Sequence, residues 1–113
     1  MRHALLLLCL SATLVLAYCS TSKKVQRAPA KITYANNVQP IIATSCSPCH
    51  MPPKGNKKPL DNYAAVRSNI DDIVIRIEKN PGEKGFMPAR HPKLPDSTIL
   101  VLKQWKTDGL QEK

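Results

Sequence analysis

The chain has 113 residues, four cysteines and a formal charge of +9. That length allows one domain at most, and with a single Trp and a single Phe its core must be thin enough to need a disulfide, a metal or a buried cofactor as a staple. The positive balance favours acidic partners. It does not point to nucleic acid, because no recognised motif is present and the lysines are not interleaved with aromatics as a base-stacking surface requires.

Met1-Arg2-His3 is a short basic start, and Ala4 to Ala17 is an apolar run broken only by Ser11 and Thr13. Its length suits the apolar region of an export signal over residues 1–18 and falls short of the ~20 residues that a membrane-spanning helix needs. The protein is therefore expected on the periplasmic side. The run ends in Leu16-Ala17-Tyr18-Cys19, which resembles a bacterial lipoprotein box, with Tyr18 where such boxes carry a small residue. Two outcomes fit: lipidation of Cys19, with attachment to a membrane surface, or cleavage after Ala17 that leaves Cys19 as a free thiol. Residues 19–31 then read as a polar, basic tether, and Ser20 to Lys31 as a flexible chain reaches on the order of 20 Å.

The domain is expected over residues 32–113. Val38, Ile41 and Ile42 stand at helical spacing in a first helix capped by Asn36 or Asn37 and ending near Thr44, with Pro40 in the first turn, where its missing N–H costs little. There follows Cys46-Ser47-Pro48-Cys49-His50. Cys-x-x-Cys-His is the signature of covalent haem attachment. Two thiols add to the two vinyl groups on one porphyrin edge, and the adjacent imidazole ligates the iron from below. A thiol–disulfide pair of the thioredoxin kind needs a preceding strand, and none is expected here. A zinc site would have to recruit His50 and His91 at a spacing not typical of structural zinc.

Asp61 or Asn62 can start a second helix carrying Tyr63 and Val66, while Ile70, Ile73, Val74 and Ile77 form the stripe of a third. Gly85-Phe86-Met87-Pro88 comes next. Met1 leaves with the signal and Met51 is too near His50 to reach the opposite face of a porphyrin, so Met87 is the expected second axial ligand. His91 competes with it, and a methionine that only fills a core gap is the plainer reading. Asp96 or Ser97 can cap a fourth helix with Ile99, Leu102 and Trp105 on one face and a stop at Gly109.

Together these residues resemble the monohaem class I cytochrome c family, in particular small exported bacterial members. The features that carry the likeness are Tyr34, Val38-Gln39-Pro40-Ile41, Cys46 to His50, Tyr63, Met87-Pro88, and Trp105 with Gly109. The resemblance covers residues 32 to 110. It implies an all-α, small cytochrome c fold of about four short helices wrapped round one covalent haem c, with the first and last helices crossing. It also implies His50/Met87 ligation of the iron.

On this reading the chain is a monomeric one-electron carrier rather than an enzyme, and without haem it is expected to be largely unfolded. The alternatives are a haem c subunit docked in a larger respiratory or oxidoreductase complex and a non-haem Cys-x-x-Cys redox protein. Lys54, Lys57, Lys58, Lys84, Arg90 and Lys93 flank the two haem-binding segments. They would steer the protein to an acidic redox partner unless they are simply a solvated surface. Asp71 and Asp72, adjacent on a polar helix face, read as solvated and not as a catalytic pair.

Overall fold

The structure is a computed structural model that describes residues 30–113. The expected signal, Cys19 and nearly all of the expected tether lie outside the described residues. Within them the chain is all-α, with no strand. A wide helical turn, Tyr34–Val38, leads into α1 (Gln39–Ser45); α2 is Tyr63–Glu78 and α3 is Asp96–Thr107. No helix among the described residues is long and apolar enough to cross a membrane.

The first turn is wider than an α-helix, with the Val38 N–H donating to the Thr33 carbonyl five residues back. Pro40 explains the widening. In a regular helix its ring strikes the carbonyl four residues earlier, and a wide turn moves that carbonyl aside before α1 begins with the proline in its first turn. The cap is Thr33, not Asn36 or Asn37. Its hydroxyl accepts from the Asn36 N–H, while the Asn37 side chain accepts in return from the Thr33 N–H at 2.9 Å. This is a reciprocal capping box stretched by one residue to suit the wider turn. Tyr34, Val38 and Ile42 are buried on one face.

The second and third expected helices are a single helix, α2. Neither Gly nor Pro separates Val66 from Ile70, and the polar residues between them turn their side chains back onto the helix. Ser68 Oγ and Asn69 Nδ2 both donate to the Ala65 carbonyl, at 3.1 and 2.7 Å, so neither draws the backbone out of the helix. Asn62 caps α2 by accepting from the Ala65 N–H at 2.9 Å. Val66, Ile70, Ile73 and Ile77 are buried; Val74 is only half-buried.

α3 starts after Pro95, which makes no side-chain cap, and Asp96 lies in the first turn, where the helix dipole favours a carboxylate. Its end follows the sequence closely. Gly109 adopts φ +90°, its N–H donates to the Lys106 carbonyl, and the Leu110 N–H returns to the Trp105 carbonyl at 3.0 Å. This pair of bonds is a Schellman motif, and it needs the left-handed residue that glycine supplies without strain.

Three aromatic side chains gather where the first turn, α2 and α3 meet. Tyr34 and Tyr63 pack edge to face at 5.5 Å, and each lies near Trp105, at 6.0 and 6.3 Å between ring centroids. Phe86 does not join them. The C-terminal tail lies across this cluster. The Gln111 carbonyl accepts both from the Trp105 indole and from the Tyr34 N–H, each at 2.8 Å, the Glu112 carbonyl accepts from the Ala35 N–H, and the Tyr63 hydroxyl donates to the Leu110 carbonyl. The first turn's otherwise unpaired N–H groups are thus satisfied by the last residues of the domain. The first turn, Tyr34–Val38, and α3 pack against each other.

Candidate functional site

Cys46 is the residue on which α1 ends, its N–H still donating to the Ile42 carbonyl. The His50 N–H donates to the Cys46 carbonyl at 3.1 Å, closing a tight turn directly after the helix. Cys46, Cys49 and His50 all line one cavity of about 370 Å³, within the range of small-molecule and cofactor sites.

A strap holds this turn in place. The chain doubles back so that the Lys57 N–H donates to the Cys49 carbonyl at 3.1 Å and the Leu60 N–H to the His50 carbonyl at 3.0 Å. Gly55 sits at the tightest point. A Cβ there would run into the carbonyl oxygens of Cys49 and Pro48, so the strap can close only over a glycine. Sequence reasoning missed Gly55, because a lone glycine among prolines and lysines carries no local sign of that approach.

The same strap sets the state of the imidazole. His50 Nδ1 lies 2.6 Å from the Lys58 carbonyl oxygen. A carbonyl can only accept, so Nδ1 carries a proton and Nε2 is the ring nitrogen left to meet a ligand. A histidine whose second ring nitrogen is fixed by a backbone carbonyl is the usual arrangement around a bound metal.

α2 and the loop after it form the rest of the wall. Leu60, Ile73 and Ile77 provide its apolar surface, and Met87 lines the same cavity although it stands 37 positions after His50. Met87 is half-buried against the core, and its N–H donates to the Arg76 carbonyl at 3.2 Å. Met51 packs against the core and does not reach the cavity, whereas His91 does reach it from an exposed position. The rim carries Lys57, Lys58 and Arg76 against Asp72, an excess of positive charge that suits a ligand with an apolar body and anionic groups at one end.

Asp72 faces this rim and is not merely solvated. It accepts from Arg76 Nε at 2.8 Å, and that hydrogen bond holds its carboxyl below the usual range. Asp71 pairs with Lys106 on α3 at 2.6 Å. Of the expected steering cations, Lys58 donates to Asn69 Oδ1, and Lys93 to the Glu78 carbonyl and Asn80 Oδ1. Lys54, Lys57, Lys84 and Arg90 are exposed.

Burial pushes the Cys46 thiol up to about 11, so near neutral pH it is a thiol and not a thiolate. That is opposite to what a thiol–disulfide exchanger needs. Among the described residues no group of three or more His, Cys, Asp and Glu side chains is arranged to hold a metal ion, which leaves the zinc alternative without a ligand set there. No protein-family model, curated protein or solved structure matches the chain.

Proposed function

We propose that this protein is a one-electron carrier that holds a single haem c through Cys46 and Cys49, with His50 and Met87 as axial ligands. The observation that carries this reading is the convergence of these four residues on one cavity. Two thiols and an imidazole come from a single turn, and a thioether arrives from a distant loop. The donor set fits the group: His50 Nε2 is left to meet a ligand, the walls are apolar, and the rim is cationic. Met87 is preferred to His91 because it is packed against the core and pinned by its backbone, while His91 is exposed.

Haem bound here supplies one-electron exchange between ferrous and ferric iron. The protein's residues bind and orient it. The Cys46–His50 turn presents the thiols and imidazole to one cavity, the Lys58 carbonyl fixes the imidazole, and Leu60, Ile73 and Ile77 exclude water. With both His50 and Met87 holding the iron, no position would be open for substrate, which would favour electron transfer over catalysis. The cationic rim favours an acidic redox partner, with electron transfer slowing as salt rises. Cys19, if lipidated, would tether the domain to the membrane surface on the periplasmic side.

The decisive experiment is haem staining of the exported full-length chain on a denaturing gel, with a reduced-minus-oxidised spectrum. Stain that survives denaturation and vanishes in Cys46→Ala/Cys49→Ala is expected. A wild-type chain with two titratable thiols at these positions and no stain sinks the proposal. Met87→Ala should change the visible spectrum and lower the reduction potential.

A further inference from the structure

The stretch from Lys79 to Pro95, between α2 and α3, has no regular secondary structure. Loops longer than about 12–15 residues are uncommon in compact domains and usually functional. This one must hold Met87 still on the cavity wall, and it does so by borrowing the C-terminal end of α2. The last carbonyls of a helix lack partners within it. Here the Arg76 carbonyl takes the Met87 N–H at 3.2 Å, and the Glu78 carbonyl takes Lys93 Nζ at 2.9 Å.

Two cationic side chains complete the attachment, one on each side of the methionine. Upstream, the Arg76 guanidinium is held by Asp72 through Nε at 2.8 Å. It turns its other edge to the Gly85 carbonyl at 3.5 Å, a charge facing a carbonyl dipole at the outer limit of a hydrogen bond. Gly85 has φ +85°, a left-handed turn that glycine adopts without strain, and a Cβ on it would stand 3.2 Å from that same guanidinium and push it aside by a few tenths of an ångström. Downstream, Lys93 Nζ bridges the Glu78 carbonyl and, at 3.3 Å, Asn80 Oδ1. Both cations sit where the helix dipole favours them.

We infer that Arg76 and Lys93 are positioning residues. They clasp the Met87 loop to the end of α2 on either side of the methionine and so hold its thioether on the cavity wall. This rests on the reading of Met87 as the distal ligand. Neither contact is strong alone, but a loop pinned at two points cannot lift Met87 without breaking one of them. The arrangement also gives Lys93 a task other than steering a partner.

Imidazole added to the haem-loaded, full-length protein competes with Met87 only when the loop lifts, so its affinity reads the clasp. Arg76→Gln and Lys93→Gln are each expected to bind imidazole about fivefold more tightly than wild type, the scale of one modest hydrogen bond. Arg76→Lys, which keeps the charge but loses the two-sided hold, should fall between. Equal imidazole affinity in wild type and both Gln variants overturns the clasp.

Amide exchange, measured on the haem-loaded protein, separates the clasp from a general loss of stability. In Arg76→Gln the Met87 amide should exchange faster while the Ile70 amide, in the middle of α2, keeps its wild-type rate. Parallel acceleration at both positions, or none at Met87, also overturns the inference. A wild-type chain that folds without haem would instead defeat the proposed function, and the same exchange comparison made on it would decide the clasp.

Discussion

At its N-terminal end α2 carries Tyr63 into the cluster with Tyr34 and Trp105, and the tail from Leu110 to Glu112 closes over it. At the other end Ile73 and Ile77 face a cavity, across which the polypeptide brings two thiols, an imidazole and a thioether. The first end is complete in itself. Trp105 and Tyr34 are almost wholly buried, and at about 25 cal/mol per Å² each aromatic is worth up to about 4–6 kcal/mol of apolar burial. At the second end Ile73 and Ile77 are buried core residues that also line the cavity, so a group bound there would extend that half of the core. A ligand that binds only the folded chain then stabilises it by mass action.

Three substitutions test this division, in descending order of expected effect. Trp105→Ala removes the centre of the closed end and should cost about 3–5 kcal/mol in denaturant unfolding of the haem-loaded protein, with haem absorbance and far-UV dichroism lost in one transition. A cost below about 1 kcal/mol would show that the aromatic cluster is not the structural anchor. Gly55→Ala strikes the other end. Overpacking against the Cys49 and Pro48 carbonyls should cost about 1–3 kcal/mol. Because the displaced atoms belong to the proposed attachment turn, the fraction of chains carrying covalent haem should fall while Trp105 fluorescence stays native. Full haem loading in this variant would mean that the strap does not set the turn. Asn62→Ala, which removes the α2 cap beside Tyr63 without touching the cavity, should cost about 1 kcal/mol by the same unfolding measurement and leave the reduction potential unchanged.

The two ends were not equally legible in the sequence. Helix stripes, the Asn62 cap and the Gly109 stop depend on residues a few positions apart, and local physics was enough to place them. The four candidate ligands were legible for a chemical reason, since thiol, imidazole and thioether residues are few in this chain. Boundaries were harder. The wide first turn answers to the Pro40 ring, and the fusion of two expected helices into α2 depended on Ser68 and Asn69 bonding back to Ala65, which their residue types alone do not reveal. Gly55, the Lys58 carbonyl and the Arg76 clasp could not be read at all, because each acts through contact with backbone brought close by folding. Asp72 and Arg76 did carry a sign, the i, i+4 spacing of opposite charges on a helix.

Acid stability offers the finest test of the contrast, since one carboxylate lies at each end. Asp108 accepts from Gln104 Nε2 at 2.7 Å and from the Ile32 N–H at 3.1 Å, and these bonds, Gln104 first, hold its carboxyl below the usual range. Asp72 is held down in the same direction by Arg76. A carboxyl whose folded value lies below its unfolded value contributes stability that is fully present above the ordinary value of about 3.9 and is lost as pH falls through the folded one. The haem-loaded protein should therefore unfold more easily as pH drops from about 4 toward 2. Asp108→Asn should flatten part of that slope and leave the haem spectrum unchanged, because Asp108 ties Ile32 to the end of α3 and does not line the cavity. Asp72→Asn should flatten a similar part but also raise imidazole affinity slightly, because it frees the guanidinium that faces Gly85. Unfolding midpoints measured from pH 2 to 5 check both slopes. Identical slopes in wild type and Asp108→Asn would remove Asp108 from the acid transition, and a spectral change in that variant would mean the two ends are coupled more tightly than their separate contacts indicate.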